Sequence, residues 1–148
     1  MNIAVIDDEK PIREQLCGLI KKQKPACGID AYSSGEEAAA SQKRFDIAFL
    51  DIKMTGIGGI ETARRLREKN SDLILVFVTG AREYVFDALD LYAFQYLLKP
   101  INERKFSEVL EKAAKEAEKN AGKKELYIKT KKLTVNQDDI SYIESSGK

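Results

Sequence analysis

Short apolar runs alternate five times along the chain with longer stretches in which apolar residues recur every three or four positions. Most of these runs are continuously apolar, which is typical of strands that are covered on both faces of a sheet. The second run alternates apolar and polar residues instead, which suits a strand at the edge of the sheet. The predicted strands are residues 3–6, 27–32, 47–50, 73–78 and 94–98.

Helical periodicity fills the intervals between the predicted strands. Pro11 suits a first helical turn, and Ser34 with Glu37 forms a capping-box pattern that begins a second helix. The fifth helix has the clearest period, from Phe106 to Ala117, and helix-stopping residues predict its end at residues 120–122. Five strand–helix units predict an α/β fold with a doubly wound parallel sheet, because right-handed crossovers place helices on both of its faces.

The composition excludes several kinds of catalytic and metal site but does not indicate a binding partner. The 148 residues carry a net charge of +1, so charge offers no general argument for binding nucleic acid or a membrane. The chain has no histidine, which excludes Ser-His-Asp and Cys-His nucleophile systems and zinc held by histidine. No secretory signal or membrane-length apolar run is present, and two cysteines without metal or redox spacing fit a cytoplasmic protein with reduced thiols.

Polar residues that suit phosphoryl chemistry follow four of the predicted strands. Asp7 and Asp8 end the first strand, Asp51 the third, Thr79 the fourth and Lys99 the fifth. The carboxyl ends of parallel strands share one edge of the sheet, where ligands bind in open α/β folds. Three clustered carboxylates need a cation, for which Mg²⁺ is suited, and a carboxylate can attack phosphorus. Each residue alone could be a turn, cap or surface residue, but the full set predicts a phosphoryl site.

Four segments of the sequence resemble the response regulator receiver domain, and the resemblance covers residues 1–119. They are IAVIDDEKPIREQL, DIAFLDIKMTGIGGIETARRLR, LILVFVTGA and AFQYLLKPI. The resemblance implies a flavodoxin-like sheet with strand order 2-1-3-4-5. It also implies a switch protein that accepts a phosphoryl group from a sensor histidine kinase and catalyses only its own phosphorylation and dephosphorylation.

The same resemblance assigns roles to individual residues. Asp51 becomes the phosphoacceptor, and Asp7, Asp8, Asp51 and the main-chain carbonyl of Lys53 become the Mg²⁺ ligands. Thr79 and Lys99 become the residues that bind the phosphoryl group, with a cis peptide between Lys99 and Pro100, and Tyr96 becomes the switch aromatic that moves with Thr79. Two positions depart from the usual pattern, because Thr55 stands in place of a common proline and Gly58 in place of a common acidic residue. Both departures concern the rigidity of the loop after the third strand.

The composition changes after the fifth predicted helix. Residues 120–124 are interpreted as a short polar linker, and residues 125–148 carry alternating apolar positions that predict a short C-terminal β extension. The stretch DDISYIESSGK resembles the start of a LytTR DNA-binding domain. The resemblance implies that residues 125–148 are the first part of such a domain, truncated at Lys148, and that DNA binding depends on an output domain mostly absent from this chain.

Three functions remain open from the sequence. The first is a two-component response regulator that controls transcription through a LytTR-type domain and forms a homodimer when phosphorylated. The second is a stand-alone receiver that relays phosphate or binds a protein partner. The third is a phosphohydrolase of the haloacid-dehalogenase type, which the residues disfavour because Lys53 stands two positions after Asp51, where that family needs an acid.

Overall fold

The computed structural model describes residues 1–134, which form five strands and five helices in strict alternation. The strands are β1 (Asn2–Ile6), β2 (Gly28–Tyr32), β3 (Ile47–Leu50), β4 (Ile74–Thr79) and β5 (Gln95–Leu98). The helices are α1 (Lys10–Gln23), α2 (Gly35–Ala40), α3 (Gly58–Lys69), α4 (Val85–Asp90) and α5 (Glu103–Thr134). No helix in this part of the chain is both long enough and apolar enough to cross a membrane.

All the strand pairs in the sheet are parallel, and the strand order is β2-β1-β3-β4-β5. This order confirms the predicted fold class and places β2 at an edge, as its alternating pattern indicates. The register aligns the ends of neighbouring strands. Ile6 pairs with Leu50, and Thr79 pairs with Leu98, so the residues that follow these strands emerge side by side at one edge.

Two apolar layers cover the two faces of the sheet. On one face, Val5 and Phe49 pack with residues of α1 and α5, including Phe106, whose ring centroid lies 5.0 Å from that of Phe49. On the other face, Ile6 and Phe77 pack with residues of α2, α3 and α4. Each fully buried large side chain contributes about 1.5–3 kcal/mol by leaving water, so the central strands hold the site rigidly between two packed layers.

The predicted end of the fifth helix is wrong, because α5 continues through residues 120–124 to Thr134. The residues around Gly122 are mostly strong helix formers, and one glycine costs a helix only about 1 kcal/mol. Asp72, just before β4, also supports this part of the helix: the Asn120 side chain donates a hydrogen bond to the carbonyl oxygen of Asp72 at 3.2 Å, and Lys124 Nζ lies 3.8 Å from the Asp72 carboxylate.

The linker predicted at residues 120–124 is therefore helical, and so are the apolar positions of the predicted β extension up to Leu133. Leu126 and Ile128 are exposed on this helix. The other apolar positions of that extension, Val135, Ile140 and Ile143, lie outside the described residues. The assignment of residues 125–148 to an output domain stays a prediction.

Candidate functional site

Three carboxylates meet at the carboxyl edge of the sheet. Asp7 follows β1 directly and Asp51 follows β3, and both side chains are almost fully buried, whereas Asp8 is exposed. One carboxylate oxygen from each residue lies within 4.8 Å of the other two. The structure thus brings together the three acids that the sequence analysis predicted as metal ligands.

The carboxylates of this cluster fit a hard divalent cation. Asp51 Oδ1 is buried and accepts no hydrogen bond from any residue in the described part of the chain, and the same holds for Asp7 Oδ2. Buried oxygens of this kind are costly unless another partner satisfies them. Burial raises the pKa of Asp7, although the hydrogen bond from the Glu9 main chain and the adjacent Lys99 ammonium oppose that rise. An all-oxygen cluster of this geometry is typical of Mg²⁺ binding.

Lys99 follows β5 and lies across the cluster. Its Nζ lies 2.9 Å from Asp51 Oδ2, 3.0 Å from Asp7 Oδ2 and 2.9 Å from Glu9 Oε1. The contact with Asp7 Oδ2 is an ion pair without the geometry of a hydrogen bond. Burial alone would lower the pKa of Lys99, but the carboxylates of Asp51, Glu9 and Asp7 together outweigh it and raise that pKa, so the lysine is a permanent cation. The peptide between Lys99 and Pro100 is cis, as the resemblance implies.

The loop between β3 and α3 is anchored at three points. The Gly59 amide donates to the carbonyl oxygen of Ile52 at 2.8 Å, and the Ile57 amide donates to Glu36 Oε2 at 3.0 Å. The amide of Thr55 donates a long hydrogen bond, 3.4 Å, to Asp8 Oδ2, which the proline common at that position could not do. The two departures from the family pattern therefore leave the loop held by hydrogen bonds.

Gly58 has a backbone conformation that favours glycine. Gly58 has φ of +75°, a left-handed conformation that residues with a Cβ rarely adopt. An acidic residue would be strained in this conformation, so glycine suits the loop backbone as it stands here.

Thr79 and Tyr96 meet through the main chain of Ala81. Thr79 is fully buried, and its Oγ1 accepts a hydrogen bond from the Ala81 amide at 3.3 Å. The Tyr96 hydroxyl donates to the carbonyl oxygen of the same residue. The Tyr96 ring packs near Phe77 with centroids 6.2 Å apart, and burial raises the pKa of Tyr96. A shift of Thr79 would thus reach Tyr96 through one residue.

Lys53 lies two positions beyond Asp51 in the same loop. Its ammonium pairs with Glu83 at 3.6 Å, and both side chains are exposed. The predicted role of its main-chain carbonyl as a metal ligand stays a prediction.

Sequence reasoning missed two residues that shape the site, Glu9 and Glu36. Glu9 is the third acid of the run Asp7-Asp8-Glu9, and that run is a signal that could have drawn attention to it. Its contact with Lys99 joins residues 90 positions apart, so no local pattern predicts it. Glu36 contacts the loop after β3 from α2, and no local pattern predicts that contact either.

Comparison with known families shows the family to which this fold belongs. The profile of the response regulator receiver domain matches residues 3–111. The chain belongs to the response regulator receiver family. The match confirms the resemblance seen in the four sequence segments. In this family a sensor histidine kinase phosphorylates the receiver, which then controls an output.

Full-length regulators are among the relatives of this receiver. It is 30% identical over 143 residues to the sensory transduction protein LytT of Oceanobacillus iheyensis, covering 94% of this chain and 57% of that protein. It is 33% identical over 124 residues to the positive alginate biosynthesis regulatory protein of Pseudomonas aeruginosa, covering 78% and 48%. It is 31% identical over 149 residues to the transcriptional regulatory protein BtsR of Salmonella typhi, covering 99% and 59%. The chain therefore spans about half the length of these relatives.

Solved receiver structures share the fold. The response regulator TrrA of Thermotoga maritima, in complex with Mg²⁺-BeF, superposes with a TM-score of 0.66 at 33% identity, covering 76% of this chain and 97% of TrrA. A CheY-like receiver domain from Methanospirillum hungatei gives a TM-score of 0.72 at 23% identity, covering 80% and 96%. The second similarity shows the fold alone.

Proposed function

We propose that this receiver accepts a phosphoryl group on Asp51 from the phosphohistidine of a sensor histidine kinase and controls transcription through a LytTR-type output domain. The observation that carries the proposal is the position of Lys99. Its ammonium contacts Asp51 and Asp7, which are two of the three clustered carboxylates. A nucleophilic carboxylate, a fixed cation and a metal-binding cluster are the elements that phosphoryl transfer to an aspartate needs.

In the proposed reaction a carboxylate oxygen of Asp51 attacks the phosphorus of the phosphohistidine. The P–N bond breaks, its electron pair returns to the imidazole, and an aspartyl phosphate forms. Asp7, Asp8, Asp51 and the carbonyl of Lys53 would hold Mg²⁺, which would supply positive charge to the phosphoryl oxygens. Lys99 contributes the second positive charge. Attack of water on phosphorus later releases inorganic phosphate and restores the carboxylate, so the chain is a switch rather than an enzyme with a separate substrate.

Movement of Thr79 is the proposed first step of the conformational switch. The Thr79 hydroxyl donates a hydrogen bond to the new phosphoryl group, which carries nearly two negative charges. Ala81 lies between Thr79 and Tyr96 and contacts both, so movement of Thr79 changes the position that Tyr96 prefers. Tyr96 is half-buried, and an amphipathic ring of this kind can change its exposure at low cost.

The proposed output rests on the length and names of the relatives. The alignment with the transcriptional regulatory protein BtsR covers 99% of this chain, and so extends well beyond the receiver profile. This supports the interpretation of residues 125–148 as the beginning of an output domain, through which DNA would be bound. A homodimer of the phosphorylated state is supported by apolar side chains exposed on and after α4, namely Phe86, Leu89 and Tyr92.

The test is incubation of the chain with acetyl phosphate and Mg²⁺, followed by intact mass spectrometry. We expect a phosphoryl adduct that hydroxylamine removes and that requires Mg²⁺. The matched variant Asp51→Asn keeps the shape of the side chain but removes the nucleophile, and it should gain no adduct. An adduct of equal yield on Asp51→Asn would contradict the proposal.

A further inference from the structure

Lys99 is shared among three carboxylates that differ in their surroundings. The Asp7 and Asp51 side chains are 1% and 6% exposed, whereas the Glu9 side chain is 61% exposed and reaches the lysine from the solvent side. Within residues 1–134, the Glu9 carboxylate has no other hydrogen-bond or ion-pair partner. Glu9 therefore occupies the outward side of the cation that a phosphoryl group must reach.

The Lys99 ammonium donates hydrogen bonds to Asp51 and Glu9, and Asp7 contacts it as an ion pair. A phosphoryl oxygen that approaches Lys99 must compete with these carboxylates for the ammonium. Asp51 becomes part of the acyl phosphate, and Asp7 belongs to the carboxylate cluster that fits the metal. Glu9 remains as the contact that competes directly with the incoming phosphoryl oxygen.

We infer that Glu9 is a positioning residue that holds Lys99 in the unphosphorylated state and limits the affinity of the site for a phosphoryl group. The inference rests on the proposed function, because it concerns the phosphoryl group on Asp51. It predicts that this receiver is phosphorylated more slowly, and holds phosphoryl analogues more weakly, than the same site without the Glu9–Lys99 pair. The cause is twofold, since Glu9 occupies a donor of Lys99 and places a negative charge beside an anionic ligand.

Binding of beryllofluoride, a phosphoryl analogue, tests the inference in the full 148-residue chain. The titration is followed by ¹⁹F NMR at saturating Mg²⁺, and the rate of phosphorylation by acetyl phosphate is measured beside it. We expect Glu9→Gln to bind beryllofluoride about two- to fivefold more tightly, the range that partly exposed ion pairs cover, and to be phosphorylated faster. Thermal unfolding of each variant checks that the exposed substitution leaves the fold intact.

Two further variants test whether the effect comes from the contact with Lys99, from the charge of Glu9, or from the loss of any exposed carboxylate. Glu9→Asp keeps the charge but shortens the side chain by one methylene, so it should lose the contact and show part of the gain in affinity that Glu9→Gln shows. Glu68→Gln removes an exposed carboxylate near the end of α3, at the opposite edge of the sheet, and should match the parent chain.

Three outcomes would overturn the inference. The first is equal beryllofluoride affinity in the parent chain and Glu9→Gln, and the second is a gain in Glu68→Gln as large as that in Glu9→Gln. The third is a Glu9→Asp variant that matches the parent while Glu9→Gln binds more tightly, because the charge alone would then explain the effect. If the parent neither binds beryllofluoride nor is phosphorylated, the proposed function fails together with the inference.

Discussion

A substitution at Gly59 should disturb the site, because α3 begins almost in contact with the main chain of Asp51, the proposed phosphoacceptor. A Cβ atom at position 59 would lie 2.0 Å from the carbonyl oxygen of Asp51 and 2.7 Å from Cα of Ile52. Both neighbours are main-chain atoms of the loop after β3, so neither can rotate away. The Gly59→Ala variant must therefore displace the start of α3, the loop, or both.

The expected cost follows from the closeness of that contact. Forcing one extra carbon into a packed region costs about 1–3 kcal/mol, and the Gly59 amide would also lose its 2.8 Å hydrogen bond to Ile52 if the helix moved. Gly59→Ala should therefore lower the free energy of unfolding by about 1–3 kcal/mol. Displacement of Asp51 should also slow its phosphorylation by acetyl phosphate.

Gly18 provides a control within the same chain. It lies in the middle of α1 on an exposed turn, and a Cβ there would meet no atom within 4 Å. Gly18→Ala should therefore raise the free energy of unfolding by about 0.5–1 kcal/mol, because alanine favours the helix. Urea unfolding followed by circular dichroism measures both variants. A Gly59→Ala variant as stable as the parent, or as stable as Gly18→Ala, would contradict this prediction.

Three other substitutions test separate parts of the structure. Arg67 donates to the carbonyl oxygens of Leu73 at 2.6 Å and Leu91 at 2.8 Å, so Arg67→Met should cost about 1–3 kcal/mol in urea unfolding; a cost no greater than that of Arg64→Met on the exposed face of α3 would contradict this. Ser34 Oγ accepts from the Glu37 amide, so Ser34→Ala should lower stability by about 1 kcal/mol, and an unchanged urea midpoint would be evidence against this cap. Mg²⁺ should raise the melting temperature of the parent chain through binding to the native state, and Asp8→Asn should reduce that rise; an equal rise in both would argue against Asp8 as a ligand.

Most of the fold was predictable because each strand carries its own signal. The runs at residues 3–6 and 73–78 are continuously apolar, and both are buried in the centre of the sheet. The site was predictable for a related reason. Once parallel strands are expected, their carboxyl ends must share an edge, so Asp7, Asp51 and Lys99 converge without any need to know side-chain geometry.

The errors lie where local signals compete with tertiary contacts. Gly122 alone predicts the end of a helix, yet the helix continues to Thr134. Helix-forming neighbours favour this continuation, and the contacts of Asn120 and Lys124 with Asp72 support it. The pairing of Glu9 with Lys99 and the support that Glu36 gives the β3–α3 loop depend on residues from different elements. Such contacts follow from the assembled fold and not from any segment of the sequence.

Asp51, and no other carboxylate, is proposed to accept the phosphoryl group. The chain would be phosphorylated with acetyl phosphate and Mg²⁺, reduced with borohydride, digested, and mapped by mass spectrometry, since borohydride converts an aspartyl phosphate to homoserine. We expect homoserine at position 51 alone, dependent on Mg²⁺. Homoserine at position 7 or 8, or unmodified Asp51 in a chain that carries the phosphoryl adduct, would contradict it.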